Sequence, residues 1–293
     1  MFIVQSYPLA IFFCVITMLC WGSWGNTQKL AGKTWRYELF YWDYVIGILL
    51  FSLISAFTLG SFGTEGRSFI PDLCQAEWGN IGSAFLGGII FNAANILLSA
   101  AIAIAGMSVA FPVGIGLALV LGVLINYMGA AKGNPVLLFC GVILITIAIV
   151  FNALDNFVNP AAGKMTPYTA MFIFACGIFA SNFIFNTIAM KKPFEGSPVG
   201  YSAYFKGPLK IHWVGILGGL IWGLGNAFNL IAAGKAGAAI SYGLGQGATL
   251  VSAFWGVIIW KEFKDAPKGT NKYLYAMFAL FLFGLALIIA AGA

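Results

Sequence analysis

Charged residues are so sparse along this chain that the gaps between them define its organisation. Charge-free intervals run 1–28, 44–64, 78–131, 133–154, 165–190, 211–234, 236–260 and 273–293. A helix needs about 20 apolar residues to cross a hydrocarbon core of about 30 Å, so each interval predicts one membrane span. The longest, 78–131, predicts two spans joined by a tight turn near Gly106, because Pro112 and Gly114 suit the first turn of a following helix. Nine spans follow directly. The first cation, Lys29, comes after the first span rather than before it, so that span reads as a retained helix and not a cleaved leader.

Sliding the chain against itself predicts a duplication. A shift of 131 lays Leu86, Gly87 and Gly88 on Leu217, Gly218 and Gly219, then Asn95 on Asn226, Phe111 on Tyr242, and Ala105-Gly106 on Ala236-Gly237. The same shift lays Gly114 and Gly116 on Gly245 and Gly247. A shift of 160 lays Asn26-Thr27 on Asn186-Thr187 and Tyr41, Tyr44 and Gly47 on Tyr201, Tyr204 and Gly207, and a shift of 143 lays Gly141 on Gly284. Duplicated bundles are a common plan of transporters. The expected fold is an all-α polytopic membrane protein of about ten spans, built as two inverted five-helix repeats over 1–155 and 165–293. On this register the seventh span has only Pro193–Leu209 to form it, with three prolines, Glu195 and Lys206, so it is expected to be short and broken; nine spans is the alternative.

Composition closes off other classes. The chain is 61% hydrophobic and 8% charged, with a mean hydropathy of +0.93, and an ordinary soluble domain carries about 25% charged residues. A water-soluble globular enzyme is excluded. Five cysteines, four of them in apolar runs, do not make a disulfide scaffold. The net charge of +6 needs no nucleic acid, because cytoplasmic loops of membrane proteins are basic. In the ten-span reading, ten cations fall on one side (Lys29, Lys33, Arg36, Lys164, Lys206, Lys210, Lys261, Lys264, Lys268 and Lys272) and five on the other (Arg67, Lys132, Lys191, Lys192 and Lys235), with both termini outside. The nine-span reading splits equally well with the opposite hand.

The chemistry of the spans is neutral. Every Asp and Glu falls in a loop or at a span end, the nearest to the interior being Asp43 and Glu262, and the one histidine, His212, rules out a His-rich metal cluster. No catalytic residue, metal or cofactor is expected. Asn92 and Asn95 share one face of the third span, and Asn226 and Asn229 share one face of the eighth. Amides both donate and accept, so a few of them replace the water shell of a small uncharged solute. Trp21 and Trp24 on the first span, with Tyr242 and Gln246 at the start of the ninth, offer flat walls for a ring. Asn95 and Asn226, equivalent in the duplication, are expected to turn inward and line one central cavity with these four. Asn26 joins the candidate set. Intramembrane amides also bond helix to helix, so packing is the competing role for each Asn. Trp35, Trp42, Trp213 and Trp260 read as interface anchors. Asp43 is the candidate for proton coupling, against the alternative of an interfacial carboxylate beside Arg36.

The segment CWGSWGNTQKLAGKTWRYELFYWDY, from Cys20 to Tyr44, and the run GGLIWGLGNAFNLIAAGKAGAAISYGLGQGATLVSAFWGVIIWKEF, from Gly218 to Phe263, resemble the ureide permease and glucose/ribose porter branch of the drug/metabolite transporter superfamily. The most specific parts are the Trp-Gly-rich first span, Ala239–Ala248 and Trp260–Glu262. The resemblance implies ten spans in two inverted halves and a carrier of small neutral polar solutes such as sugars, nucleobases or ureides. The expected protein is a permease working by alternating access in the plasma membrane, in a bacterium the inner one, with a proton or sodium ion as coupling partner. The alternatives are an accessory membrane subunit without transport activity, or an exporter of another small metabolite.

Overall fold

The computed structural model describes residues 1–32, 35–111 and 165–264, with separate positions between 272 and 283. Helices are the only regular elements among the described residues. The first apolar stretch forms α1 (Tyr7–Ser23) and α2 (Gly25–Ala31), which follow each other through Trp24. After them come α3 (Tyr37–Phe57), the short α4 (Phe69–Gln75), α5 (Trp78–Ala105) and α6 (Met107–Phe111). The second part holds α7 (Pro167–Lys191), the five-residue α8 (Tyr201–Phe205), α9 (Leu209–Ala236), α10 (Ala238–Gly245) and α11 (Ala248–Phe254), which runs into a π-helical turn at Trp255–Ile259. Six of these helical stretches are long and apolar enough to cross a membrane: Tyr7–Ala31, Tyr37–Phe57, Trp78–Ala105, Pro167–Lys191, Leu209–Ala236 and Ile240–Ile259. The expected span at 133–154 and most of those at 107–131 and 273–293 lie outside the described residues.

Exposure follows the logic of lipid. Phe12, Ile54, Leu86, Ile104, Ile184, Ile188 and Leu217 are exposed, whereas Asn92, Asn182, Asn186, Asp43 and Glu38 are buried. A water-soluble fold would show the reverse.

Glycine sets how the helices meet. In α3 and α9, Gly47 lies against Gly219, Asp43 against Gly215 and Phe51 against Gly223, a constant step of 172 residues (215 − 43, 219 − 47, 223 − 51), so the two helices run parallel. In α5 and α7, Gly88 lies against Gly177 and Asn92 against Ser181, a constant step of 89 (177 − 88, 181 − 92), and these also run parallel. A side chain on Gly47, Gly88, Gly177 or Gly219 would run into a backbone carbonyl of the neighbouring helix. This is the close approach that small residues permit where no hydrophobic force drives helices together in lipid.

The two pairs run in opposite directions. Lys29, just before α3, bonds Glu262, whose carboxylate accepts from the N–H groups of Met107 (3.0 Å) and Ser108 (2.8 Å) just past the end of α5. The start of α3 and the end of α5 therefore share what we call the basic end. At the opposite end Phe2 N–H donates to the Leu59 carbonyl at 2.7 Å and Tyr168 Oη donates to the Phe2 carbonyl at 2.9 Å, so the amino terminus, the end of α3 and the start of α7 sit together there.

This arrangement corrects the expected seventh span. Asn186, near the end of α7, donates to the Glu38 carbonyl at 2.8 Å, and Tyr204 and His212, on either side of the start of α9, both bond Asp43. The end of α7, the whole of 193–208 and the start of α9 thus lie at the basic end, and the segment does not cross. Three prolines deny it the continuous helical hydrogen bonding that lipid demands, so it stays at the surface and α7 and α9 run antiparallel. The shift of 160 fails for the same reason: Tyr201 and Tyr204 fall in a five-residue helix, and the place that α3 takes beside α9 is taken beside α5 by α7. Lys191 and Lys192, expected opposite Lys206 and Lys210, lie at the same end as them.

Candidate functional site

The centre of the molecule is an aromatic layer. Phe91 of α5 and Trp222 of α9 meet with ring centroids 4.7 Å apart, flanked by Phe174 of α7 at 5.4 Å from Phe91 and by Trp21 at 6.2 Å from Trp222. Asn95 follows Phe91 by four residues toward the basic end, and Asn226 follows Trp222 by four residues toward the other end. The two amides expected to share one cavity therefore sit on opposite sides of the aromatic layer.

On the basic side the polar groups are joined. Tyr41 Oη donates to Asn92 Oδ1 at 3.0 Å and accepts from Asn95 Nδ2 at 3.2 Å. Asn95 Nδ2 also reaches Tyr44 Oη at 3.3 Å, and Asn92 Nδ2 donates to Ser181 Oγ at 3.0 Å. This network ties α3, α5 and α7 together, with Trp24 over Tyr44 at 4.7 Å. Gln28 and Ser99 add a reciprocal pair, Gln28 Nε2 to the Ser99 carbonyl and Ser99 Oγ to Gln28 Oε1, both at 2.8 Å. Asn26 lies apart from the layer: its Nδ2 donates to the Ser23 carbonyl at 2.9 Å and its Oδ1 accepts from Trp260 Nε1 at 2.6 Å.

On the other side the groups are less committed. Trp21 packs against the bare backbone of Gly225 and Gly245, and its Nε1 is buried with no hydrogen-bond partner among the described residues. The same holds for Asn226 Nδ2. Asn229 is used up in packing, donating from Nδ2 to the Ser241 carbonyl at 2.8 Å while its own carbonyl accepts from Ser241 Oγ at 2.7 Å. Gln246 is buried and Tyr242 half-buried on the adjoining helix.

Sequence reasoning missed part of the polar interior. Asn182 of α7 is fully buried with neither amide atom bonded among the described residues, and Asn186, one turn on, leaves its Oδ1 unbonded among them. Their spacing of four residues was the available signal, the same kind that marked Asn92 and Asn95. Trp35 and Trp42, expected at the interface, are buried, and Trp42 Nε1 donates to Met190 Sδ at 3.4 Å. Trp213 is exposed as expected.

Asp43 also departs from its expected setting. It lies two turns inside α3, its side chain 1% exposed, and Arg36 is not its partner. Arg36 turns to Glu38 at 2.6 Å and to the carbonyls of Glu195 and Ser197, and the Glu38 carboxylate holds its guanidinium above the usual arginine range. Asp43 Oδ1 accepts instead from Tyr204 Oη at 2.6 Å and lies 2.8 Å from His212 Nδ1, and its Oδ2 accepts from Trp35 Nε1 at 3.2 Å. The charge gaps placed the start of this span at 44, but the helix begins at Tyr37 and carries two acids inside it. Glu262, half-buried, is a further acid near a span end. Burial pushes its carboxyl up, but Lys29 and the Ser108 and Met107 donors outweigh that and hold it below the usual glutamate range.

A model of the ureide permease family matches residues 40–164 and 152–291. The chain belongs to the ureide permease family. Ureide permease 2 of Arabidopsis thaliana is 24% identical over 99% of both chains, in an alignment of 395 positions, and Ureide permease 1 of the same plant is 23% identical over 99% of both. A Streptococcus pyogenes protein named for sugar uptake is 27% identical over 87% of this chain and 90% of its own. No solved structure matches the chain at a significant level. The ureide permease relatives carry transporter names and not enzyme names, and the six apolar helices make this family member an integral membrane protein.

Proposed function

We propose that the protein is a secondary carrier for a small uncharged polar solute, a ureide, nucleobase or sugar, which it moves by alternating access. The observation that carries this is the set of buried neutral polar groups without a hydrogen-bond partner among the described residues: both amide atoms of Asn182, Asn226 Nδ2 and Trp21 Nε1. A buried unpaired amide costs about 1–3 kcal/mol, a cost that a solute offering its own donors and acceptors removes. These groups carry no charge, which suits a neutral solute, and the Phe91–Trp222 layer between the Asn95 and Asn226 sides supplies faces for a ring. The relatives' names, ureide permease and sugar uptake, support the same solute class.

Alternating access needs two halves that exchange roles. Supporting an inverted duplication, α5 and α9 each span 28 residues, start 131 residues apart (209 − 78), run in opposite directions, and end on a glycine with positive φ. Among the described residues that the helices place, the basic end holds Lys29, Arg36, Lys191, Lys192, Lys206, Lys210, Lys261 and Lys264, against Arg67 and Lys235 at the other, so we assign the basic end to the cytoplasm. The test is counterflow in liposomes containing the purified full chain. Preloading with unlabelled allantoin, uracil or glucose should draw in the labelled form of at least one of them, and no uptake above protein-free liposomes for any of the three would refute the carrier reading.

A further inference from the structure

The non-crossing segment 193–208 joins two helices that each present an apolar stripe to lipid. On α7, Ile184 and Ile188 are exposed one turn apart, and on α9, Leu209, Trp213 and Leu217 are exposed at the same four-residue step. Each stripe runs into a pair of lysines at the basic end. Lys191 and Lys192 follow Ile188 by three and four residues, and Lys206 and Lys210 stand on either side of Leu209 in the chain. The segment itself adds two exposed rings, Phe194 and Phe205, the latter 77% exposed. Rings and lysines mixed on one surface suit the headgroup layer, where a ring rests on the acyl boundary and a lysine keeps its charge in water.

The charge of this surface is not met by carboxylates of the chain. Lys191, Lys192, Lys206 and Lys210 are exposed, and none of them is in an ion pair among the described residues. The buried and half-buried acids of the basic end are engaged elsewhere: Glu38 with Arg36, Glu262 with Lys29, and Asp43 with Tyr204 and His212. Among the described residues that leaves Glu195, exposed, beside four cations. The inner side of the segment is fastened to the helices. Arg36 holds the carbonyls of Glu195, at 3.0 Å, and Ser197; Val199 N–H donates to the Met190 carbonyl at 2.9 Å; and Tyr204 Oη donates to Asp43.

We propose that this surface is a binding site for anionic phospholipids of the leaflet at the basic end, and that the bound lipid holds segment 193–208 against α3. The site goes beyond the carrier reading and does not depend on it. The phosphodiester lies among the four lysines while the acyl chains run along the Ile184–Ile188 and Leu209–Leu217 stripes. A zwitterionic lipid brings its own cation to the same place, so the site prefers a headgroup of net negative charge such as phosphatidylglycerol. Each lysine near such a surface strengthens binding about fivefold. A soluble phosphate meets the lysines but makes no use of the stripes, which is why the occupant is a lipid. The consequence reaches the interior through Tyr204. Its hydroxyl donates to Asp43 at 2.6 Å from the segment that the lipid covers, so the leaflet's charge bears on the setting of a buried acid of α3.

The experiment titrates the full chain, purified in neutral detergent, with phosphatidylglycerol, phosphatidylcholine or glycerol 3-phosphate and follows its unfolding temperature, which a ligand of the folded state raises with concentration. Phosphatidylglycerol should raise it to a plateau, and the other two should not. Changing Lys191, Lys192, Lys206 and Lys210 together to Gln should move the phosphatidylglycerol midpoint up at least tenfold. Lys235→Gln, at an exposed position of the other end, should leave it within about twofold. Equal action of the two lipids, or an unmoved midpoint in the fourfold variant, would overturn the site. An equal rise with glycerol 3-phosphate would assign the lysines to a soluble anion and overturn it too. If the fourfold variant does not fold, the pairs Lys191→Gln/Lys192→Gln and Lys206→Gln/Lys210→Gln decide: each should move the midpoint at least threefold, and no movement in either pair overturns the proposal. The hold on the segment has its own readout. Saturating phosphatidylglycerol should slow tryptic cleavage after Lys206 several-fold in the wild type, and unchanged cleavage would refute that hold. None of these measurements reads transport, so a failure of counterflow strikes the carrier reading alone.

Discussion

The turns after α5 and α9 are built alike and surrounded differently. Each ends a 28-residue helix, about 42 Å at 1.5 Å per residue, and each is a glycine in the left-handed region, Gly106 at φ 80° and Gly237 at φ 84°. Gly106, at the basic end, lies under the Glu262 carboxylate, and a Cβ there would come within 2.8 Å of it. A Cβ at Gly237, at the other end, would have nothing within 4 Å among the described residues. Glu262 ties the first turn to Lys29, which also lies 5.0 Å over the Trp260 ring, while the second turn has no such clamp among the described residues. The two turns share a backbone and differ in what the described residues place around them.

The largest expected effect separates these turns. Gly237→Ala should cost only the left-handed backbone penalty, about 1–2 kcal/mol. Gly106→Ala carries the same penalty and also displaces Glu262 from its backbone donors, so we expect about 2–4 kcal/mol. Thermal unfolding of both variants in detergent checks this. Equal losses would mean that Glu262 moves aside freely.

The two asparagines extend the comparison to the interior. Asn95 is engaged by two tyrosine hydroxyls, whereas Asn226 Nδ2 has no hydrogen-bond partner among the described residues. Asn95→Leu should therefore lower stability by about 1–3 kcal/mol. Asn226→Leu should leave stability nearly unchanged and weaken solute binding by about 1–3 kcal/mol, roughly 5- to 150-fold in affinity. Unfolding temperature and solute titration on both variants decide it. The opposite pattern would exchange the roles of the two amides.

How far the sequence foretold this can be judged residue by residue. The shift of 131 anticipated Gly106 and Gly237, because a positive-φ turn between two long apolar helices restricts the residue to glycine and leaves a sparse, readable mark. The apolar intervals marked all six described spans, since lipid enforces length and composition directly. The second register, onto Tyr201 and Tyr204, failed because aromatic matches near a membrane surface arise from belts as readily as from common descent, and the prolines that stop 193–208 from crossing outweigh them. Asp43 was misplaced for another reason. A charge gap marks where charges stop, not where a helix starts, and partners as remote as Tyr204 and His212 leave no local spacing to read. The unbonded amides of Asn182 depend wholly on how three helices meet.

The smallest effect tests the clamp at the basic end through pH. The Glu262 carboxyl is held below the usual glutamate range, with burial opposing and Lys29, Ser108 and Met107 prevailing. A carboxylate whose folded-state value is depressed adds stability that is fully present above its unfolded value, about 4.3, and is lost as pH falls through the lowered one. The clamp is therefore intact at neutral pH and fails in acid. Glu262→Gln keeps one acceptor oxygen for a backbone N–H but loses the charge, so at pH 7 it should cost about 1 kcal/mol, less than Gly106→Ala. The difference in unfolding temperature between wild type and Glu262→Gln should be constant from pH 8 to about pH 5 and shrink as pH falls further, because the protonated wild type then resembles the amide. A difference that persists at the acid limit would show that the carboxylate charge is not what holds Lys29 and the Gly106 turn together.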